Sequence, residues 1–180
     1  MQPVEQKIRC VFFDRDGVVN RSPGDGYVTR PEDFHLNDGL IELMGLVSER
    51  GYSAILVTSQ RCVGKGLLSA AGLDEIHGKL AAALASHGLA FLDIYAFLGT
   101  PETESWEKPS PEMILLAAQK HGIELAGSWM IGDADRDIVM AQRAGVGKTL
   151  RIVTDKAIGV DADFTAADLE EAHGILAQQL

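Results

Sequence analysis

The chain has 180 residues, 46% of them hydrophobic and 23% charged, enough to bury the core of one globular domain spanning residues 1–180 and too few for two well-filled ones. Acidic residues outnumber basic ones 26 to 16, and the formal charge of -10 sets up a field that repels nucleic-acid phosphates and anionic membrane surfaces, so neither is an expected partner. Two cysteines, Cys10 and Cys62, without CxxC spacing exclude a disulfide scaffold and are expected to be reduced.

The opening MQPVEQK is polar, and the apolar run after it is too short for a signal peptide or a membrane span, so a cytoplasmic location is expected. Apolar runs then alternate with segments of helical period, the pattern of parallel strands joined by crossover helices. Strands are predicted at Ile8–Asp14, Ser53–Ser59, Phe91–Phe97, Ser128–Asp133 and Thr149–Val153. Helices are predicted at Asp38–Arg50, Leu73–His87, from Pro109–Pro111 to Gly122, at Asp135–Ala144 and at Ala166–Gln179. A last strand-like DFTA precedes the final helix and is expected to close a sheet edge. The fold class is α/β, a Rossmann-like three-layer sandwich around a central parallel sheet.

One stretch, AGVGKTLRIV (Ala144 to Val153), imitates the end of a phosphate-binding loop. A Walker A loop needs a glycine five positions before the second one and lies between a strand and the next helix. Here the second glycine would be Gly147 and position 142 is Gln142, while a helix leads in and a strand leads out. The segment reads as a helix stop before a strand.

The ends of the predicted strands carry VFFDRDGVVN, ILVTSQ and WMIGDADRDI, and WEKPSPEM marks a helix start. In an open parallel sheet the carboxyl ends of the strands form one rim, so Asp14, Asp16, Thr58, Ser59 and Asp133 converge there, joined by Lys108. Each piece alone has a plainer explanation: aspartates favour turns, Thr58 and Ser59 could cap a helix, most lysines are solvated, and acidic residues suit a helix N-terminus. Together they gather carboxylates that would repel unless a cation neutralised them, and oxygen-only ligands suit a hard divalent ion such as Mg²⁺. Asp137, one turn after Asp133, can face the same ion, and Asp135 should point away.

The ordered set DRDG, VTSQ, EKPSP and GDADRD resembles the four motifs of the haloacid dehalogenase (HAD) superfamily of phosphatases over about residues 8 to 155. Within it, DRDGVVN followed by GDGYV, VTSQ, a VGKG stretch and KPSPEM most resembles the D-glycero-D-manno-heptose 1,7-bisphosphate phosphatases and the related histidinol-phosphate phosphatases. The resemblance implies Mg²⁺-dependent hydrolysis of a small phosphomonoester in carbohydrate metabolism. Asp14 would be the nucleophile, Asp16 the general acid and base, Thr58 a phosphoryl ligand and Lys108 the neutralising cation. It also assigns the ion to the Asp14 and Asp133 carboxylates and the Asp16 carbonyl, with Asp137 as a further or water-mediated contact. Cap domains of this superfamily are inserted either between the first and second motifs or between the second and third. Asp14 to Thr58 spans 44 positions and Thr58 to Lys108 spans 50, room for ordinary elements only, so no cap is expected. The site should lie open to solvent or to a neighbouring subunit of a homo-oligomer.

Two departures bear on the substrate. The related heptose enzymes carry a Cys/His zinc loop where this chain has LGTPETESWE, so a structural zinc is not expected. They also commonly place arginine before the motif lysine, where this chain has Glu107. An anion there disfavours bisphosphates unless Arg61, Lys65, Arg21 or Arg30 compensates, which makes Ser59, Arg61, Lys65 and Glu107 the candidate substrate contacts. The five histidines read as surface or helix-end residues. Two other functions fit the fold: a nucleotide or polynucleotide 3′-phosphatase, opposed by the acidic balance and the 6% aromatic content, and a noncatalytic binding protein, opposed by the presence of all four motif residues.

Overall fold

A computed structural model describes residues 7–180. The polar opening stretch lies outside the described residues except for Lys7. Six strands, β1 (Cys10–Phe13), β2 (Ser53–Ser59), β3 (Asp93–Phe97), β4 (Trp129–Gly132), β5 (Lys148–Ile152) and β6 (Phe164–Ala166), form one sheet in the order β3-β2-β1-β4-β5-β6. Every neighbouring pair is parallel. Four helices cross between them, α1 (Leu40–Glu49), α2 (Ala70–Ala85), α3 (Glu112–His121) and α4 (Asp135–Ala144), and a fifth, α5 (Leu169–Gln179), follows β6.

Both faces of the sheet are covered, and the strand residues alternate accordingly. Val11, Phe13, Leu56, Ile131 and Leu150 point into one core with α1, α2 and α5. Cys10, Phe12, Ile55, Val57 and Met130 point into the other, against α3 and α4. The chain therefore has the three-layer Rossmann-like architecture that the alternating apolar runs predict. The interval from Asp14 to Thr58 holds a short 3-10 turn (Pro31–Asp33), α1 and β2, and that from Thr58 to Lys108 holds α2, β3 and a 3-10 turn (Pro101–Trp106). No cap is inserted in either.

The GKT stretch is a helix end: α4 stops at Ala144, Gly145 caps it, and β5 begins at Lys148. The DFTA segment contains β6, which forms the sheet edge beside β5. Outward from β1 the chain runs one way to β2 and β3 and the other way to β4, β5 and β6. The strand ends on either side of β1 flank the crevice where such sheets bind ligands.

Candidate active site

Asp14 follows β1, Thr58 lies near the end of β2 and Asp133 follows β4, so the three central strands deliver them to one rim. The backbone amide of Asp14 still donates to the Ile131 carbonyl at 2.9 Å, which fixes the chain as it leaves the sheet. Asp137 arrives from the first turn of α4, and its Oδ2 accepts the Ala134 amide at 3.0 Å. One carboxylate oxygen from each of Asp14, Asp133 and Asp137 lies within 4.8 Å of the others, and all three residues are buried.

Lys108 enters ahead of α3 and is almost completely enclosed. The three hydrogens of its ammonium match three acceptors: Asp14 Oδ1 at 2.8 Å, Asp137 Oδ1 at 2.7 Å and the Val57 carbonyl at 3.0 Å. Burial pulls its pKa down, but Asp137 and Asp14 outweigh that and hold it above the usual lysine value. Burial, then Asp137, push the Asp14 carboxyl up to about 7 in spite of the lysine. Burial likewise raises Asp133, whereas for Asp137 the attraction of Lys108 wins over burial and the carboxyl is held below its ordinary range.

Two glycines let these carboxylates approach the backbone. A Cβ on Gly17, whose φ is +91°, would stand 2.1 Å from Asp133 Oδ2. One on Gly132 would stand 2.3 Å from the Asp137 Cβ. Only hydrogen fits at either position.

The Asp16 side chain turns into a collar of donors. Asn20 Nδ2 reaches Oδ1 at 2.9 Å, Gln60 Nε2 reaches Oδ2 at 2.9 Å, and Arg15 NH2 reaches both oxygens at 3.1 and 3.2 Å. Gln60 Nε2 gives its other hydrogen to Thr58 Oγ1 at 2.8 Å, so a single amide spaces Asp16 from Thr58. Arg15, Asn20 and Gln60 are fully buried. None stood among the sequence candidates, although DRDGVVN and VTSQ contain all three. His77, read from sequence as a surface or helix-end residue, instead sits within α2, with its Nε2 3.4 Å from Arg15 NH1. Burial, then the Arg15 cation, lower its imidazole to about 4.

The candidate substrate residues lie further out. Arg61 and Glu107 pair with each other and are about half exposed, so the anion that replaces the expected arginine is neutralised across the site mouth. Lys65 is exposed and donates to Tyr27 Oη at 2.9 Å. Ser59 ends β2 half-buried. Arg21 is 3.8 Å from Asp38, and Arg30 is bound to Asp33 at 3.0 Å. Asp135 points away from the cluster, accepting from Arg151 and from the amides of Gly159 and Val160.

Residues 105–172 match a family model described as HAD-hydrolase-like. A D-glycero-α-D-manno-heptose-1,7-bisphosphate 7-phosphatase of Burkholderia mallei is 37% identical over 154 residues, covering 81% of this chain and 80% of its own length. The chain belongs to the HAD-type phosphatases. A second relative of this phosphatase, a D-glycero-β-D-manno-heptose-1,7-bisphosphate 7-phosphatase of Helicobacter pylori, is 32% identical over 147 residues, covering 81% of this chain and 84% of its own. Among solved structures, D,D-heptose 1,7-bisphosphate phosphatase from B. bronchiseptica, complexed with magnesium and phosphate, superposes with a TM-score of 0.85 at 25% identity, covering 96% of this chain and all of the other.

The HAD phosphatase is thus a phosphoric monoester hydrolase, and its carboxylate cluster has the chemistry of a hard-metal site: oxygen donors only, buried and within one ion's reach of each other. Among the described residues no helix is long and apolar enough to cross a membrane.

Proposed function

We propose that the chain works as one capless phosphatase unit over residues 1–180, in the cytoplasm, and that it removes the 7-phosphate of D-glycero-D-manno-heptose 1,7-bisphosphate with the help of Mg²⁺. The observation that carries this reading is the buried Lys108 ammonium bound at once to Asp14 and Asp137, beside Asp133. Supporting it are the names of the relatives, which specify the 7-phosphatase reaction on both anomers of that sugar. A cleft of about 310 Å³ beside Gly17, lined in part by Arg21, Ser22, Asn37 and Thr154, offers hydroxyl, amide and cationic groups suited to a polyhydroxylated body.

Asp14 attacks phosphorus in line and forms an aspartyl phosphate, and the sugar oxygen leaves with a proton from Asp16. Asp16 then takes a proton from the water that attacks the intermediate, releasing phosphate and restoring both carboxylates to their starting forms. Thr58 Oγ holds a phosphoryl oxygen, and Gln60, bonded to both, keeps that hydroxyl at a set distance from Asp16. Lys108 offsets the negative charge that builds up in the transition state. Asp14, Asp133 and the Asp16 carbonyl would hold Mg²⁺, with Asp137 in reach through water. The ion supplies charge neutralisation for the phosphoryl oxygens and favours the ionised form of Asp14. Asp137 has a second task, since it keeps Lys108 in place.

Phosphate release, with and without Mg²⁺, across heptose 1,7-bisphosphate, histidinol phosphate, other sugar phosphates and nucleotides tests the reading, with Asp14→Asn as the blank. The expected result is Mg²⁺-dependent loss of the 7-phosphate only, abolished in the variant. Preference for histidinol phosphate or a nucleotide would overturn the substrate assignment. Near-normal release by a folded Asp14→Asn variant would overturn the mechanism.

A further inference from the structure

Asp133 gives both carboxylate oxygens to a residue that none of the four motifs contains. Lys156 Nζ lies 2.7 Å from Asp133 Oδ1 and 2.6 Å from Oδ2. The aspartate side chain has no exposure and the lysine's is 30% exposed, so the ammonium covers the carboxylate from the solvent side.

Lys156 sits on the irregular segment 153–163 between β5 and β6. Both ends of that segment are tied down. Val153 donates to the Ala166 carbonyl at 2.8 Å, and at the other end Gly159 and Val160 donate to Asp135 while Arg151 NH2 donates to the Val160 carbonyl. Between the ties, residues 154–158 have few holds: the Lys156 amide on Thr154 Oγ1 at 3.4 Å, and the ammonium on Asp133. Asp155, Ala157 and Ile158 are exposed. The segment is a strap whose middle is anchored to the molecule through one lysine.

Charge decides what that lysine does when the site is loaded. Asp14, Asp133 and Asp137 present three negative charges when ionised, and Lys108 with Lys156 presents two positive ones. A divalent ion with Lys108 alone presents three. An ion on Asp133 therefore leaves the carboxylates balanced without Lys156 and would repel an ammonium sharing the same two oxygens. A phosphoryl group carries close to two negative charges of its own and needs a further cation. It binds at Asp14, and Asp133 lies within 4.8 Å of Asp14, so the lysine has only a short way to move.

We propose that Lys156 is an exchangeable cation of this site: it holds Asp133 until a divalent ion takes that carboxylate, then passes to the phosphoryl group, carrying residues 154–158 with it. The inference rests on the assignment of Asp133 as a metal ligand made above. Once moved, Lys156 is a substrate-binding residue, and the strap closes over the bound phosphate.

Two measurements on the full chain test it without reference to turnover. Calorimetric titration with Mg²⁺ alone should show Lys156→Gln binding the ion about tenfold more tightly than the wild type, because the internal competitor is gone. Trypsin cleavage after Lys156 in the wild type, followed by mass spectrometry with cleavage after exposed Lys65 as the reference, should quicken at least about fivefold on adding Mg²⁺. It should slow again when inorganic phosphate is added with the ion. Mg²⁺ binding with equal affinity in both proteins and unchanged cleavage would overturn the exchange while leaving the metal assignment standing. Failure of Mg²⁺ to bind either folded protein would overturn both. At saturating Mg²⁺, Lys156→Gln should raise KM for the phosphomonoester about tenfold with a smaller effect on kcat, and an unchanged KM would refute the second half of the movement.

Discussion

Replacing Lys108 with methionine keeps most of the aliphatic stem and deletes the ammonium, which is the only cation bonded to Asp14 or Asp137 among the described residues. The variant leaves two buried carboxylates facing each other, with Asp133 nearby, and frees the Val57 carbonyl. Removing one partner of a buried ion pair costs about 3–5 kcal/mol. At about 2–4 °C per kcal/mol for a chain of this size, the midpoint of thermal unfolding should fall by roughly 10 °C. The cost must also depend on pH in one direction. Burial and the neighbouring aspartates already push Asp14 up to about 7 with Lys108 present, and without it they push further. A proton taken up by the pair relieves the repulsion, so the destabilisation is greatest above neutral pH and shrinks on acidification. Urea unfolding followed by circular dichroism in magnesium-free buffer, at pH 8 and at pH 5.5, measures both terms. A loss below about 1 kcal/mol at pH 8, or an equal loss at the two pH values, would refute the reasoning that this ammonium neutralises the cluster. The same substitution should lower kcat by about 10²–10³, the usual scale for one buried transition-state partner.

Three further outcomes are expected. Because burial, then Arg15, lower His77 to about 4, the unfolded chain binds a proton between about pH 6.5 and 4 that the folded one refuses. Stability should therefore fall across that window as pH drops, by up to about 3 kcal/mol, and urea midpoints of His77→Gln should lack this slope; an unchanged slope would rule His77 out as its source. Gly17→Ala forces an L-residue into φ +91° and its Cβ against Asp133, so calorimetry should show Mg²⁺ affinity reduced more than about tenfold together with about 1–2 kcal/mol of lost stability. Normal affinity would show that Asp133 tolerates displacement. Glu107→Arg frees Arg61 and adds a cation at the mouth, and steady-state kinetics should show KM for the bisphosphate falling about tenfold, the worth of one charge-assisted hydrogen bond, with kcat within about twofold. An unchanged KM would remove the pair from the substrate's path.

What the sequence made legible was whatever local pattern determines. Ser53–Ser59 and Asp135–Ala144 match β2 and α4 end to end, because a continuous apolar run and an acidic first turn are local signals. The predicted first strand, Ile8–Asp14, is longer than β1 at both ends: Ile8 makes only an isolated bridge to Ile123, and Asp14 departs toward the site. Helix α2 begins at Ala70, before the predicted Leu73, because Ser69 caps it by accepting the Gly72 amide, whereas the apolar period starts later. The 3-10 turns carry no apolar period at all. Within the site, Asp14, Thr58 and Asp133 were readable because strand ends share a rim, Asp137 because it stands one helical turn after Asp133, and Lys108 from the motif that opens the following helix. Arg15 was not: an arginine is expected in solvent, and only the fold shows it enclosed, with half-buried Asp16 and His77 as its partners. Lys156 was invisible for a similar reason, since its partner lies 23 positions away and nothing in VTDKAIG points to it.

The carboxylates, hydroxyl and lysine of the site come from residues 14, 58, 108, 133 and 137, and their meeting requires β1, β2, β4 and the start of α4 to be assembled together. No segment shorter than residues 14–137 contains the set. An ion bound there would consequently favour the folded state over every form in which the set is broken, by about 2.7 kcal/mol when its concentration is a hundred times its dissociation constant. With the proposed ion as its ligand, the supply of divalent cation would thereby act on how long the protein lasts, through its resistance to unfolding and proteolysis, as well as on how fast it works.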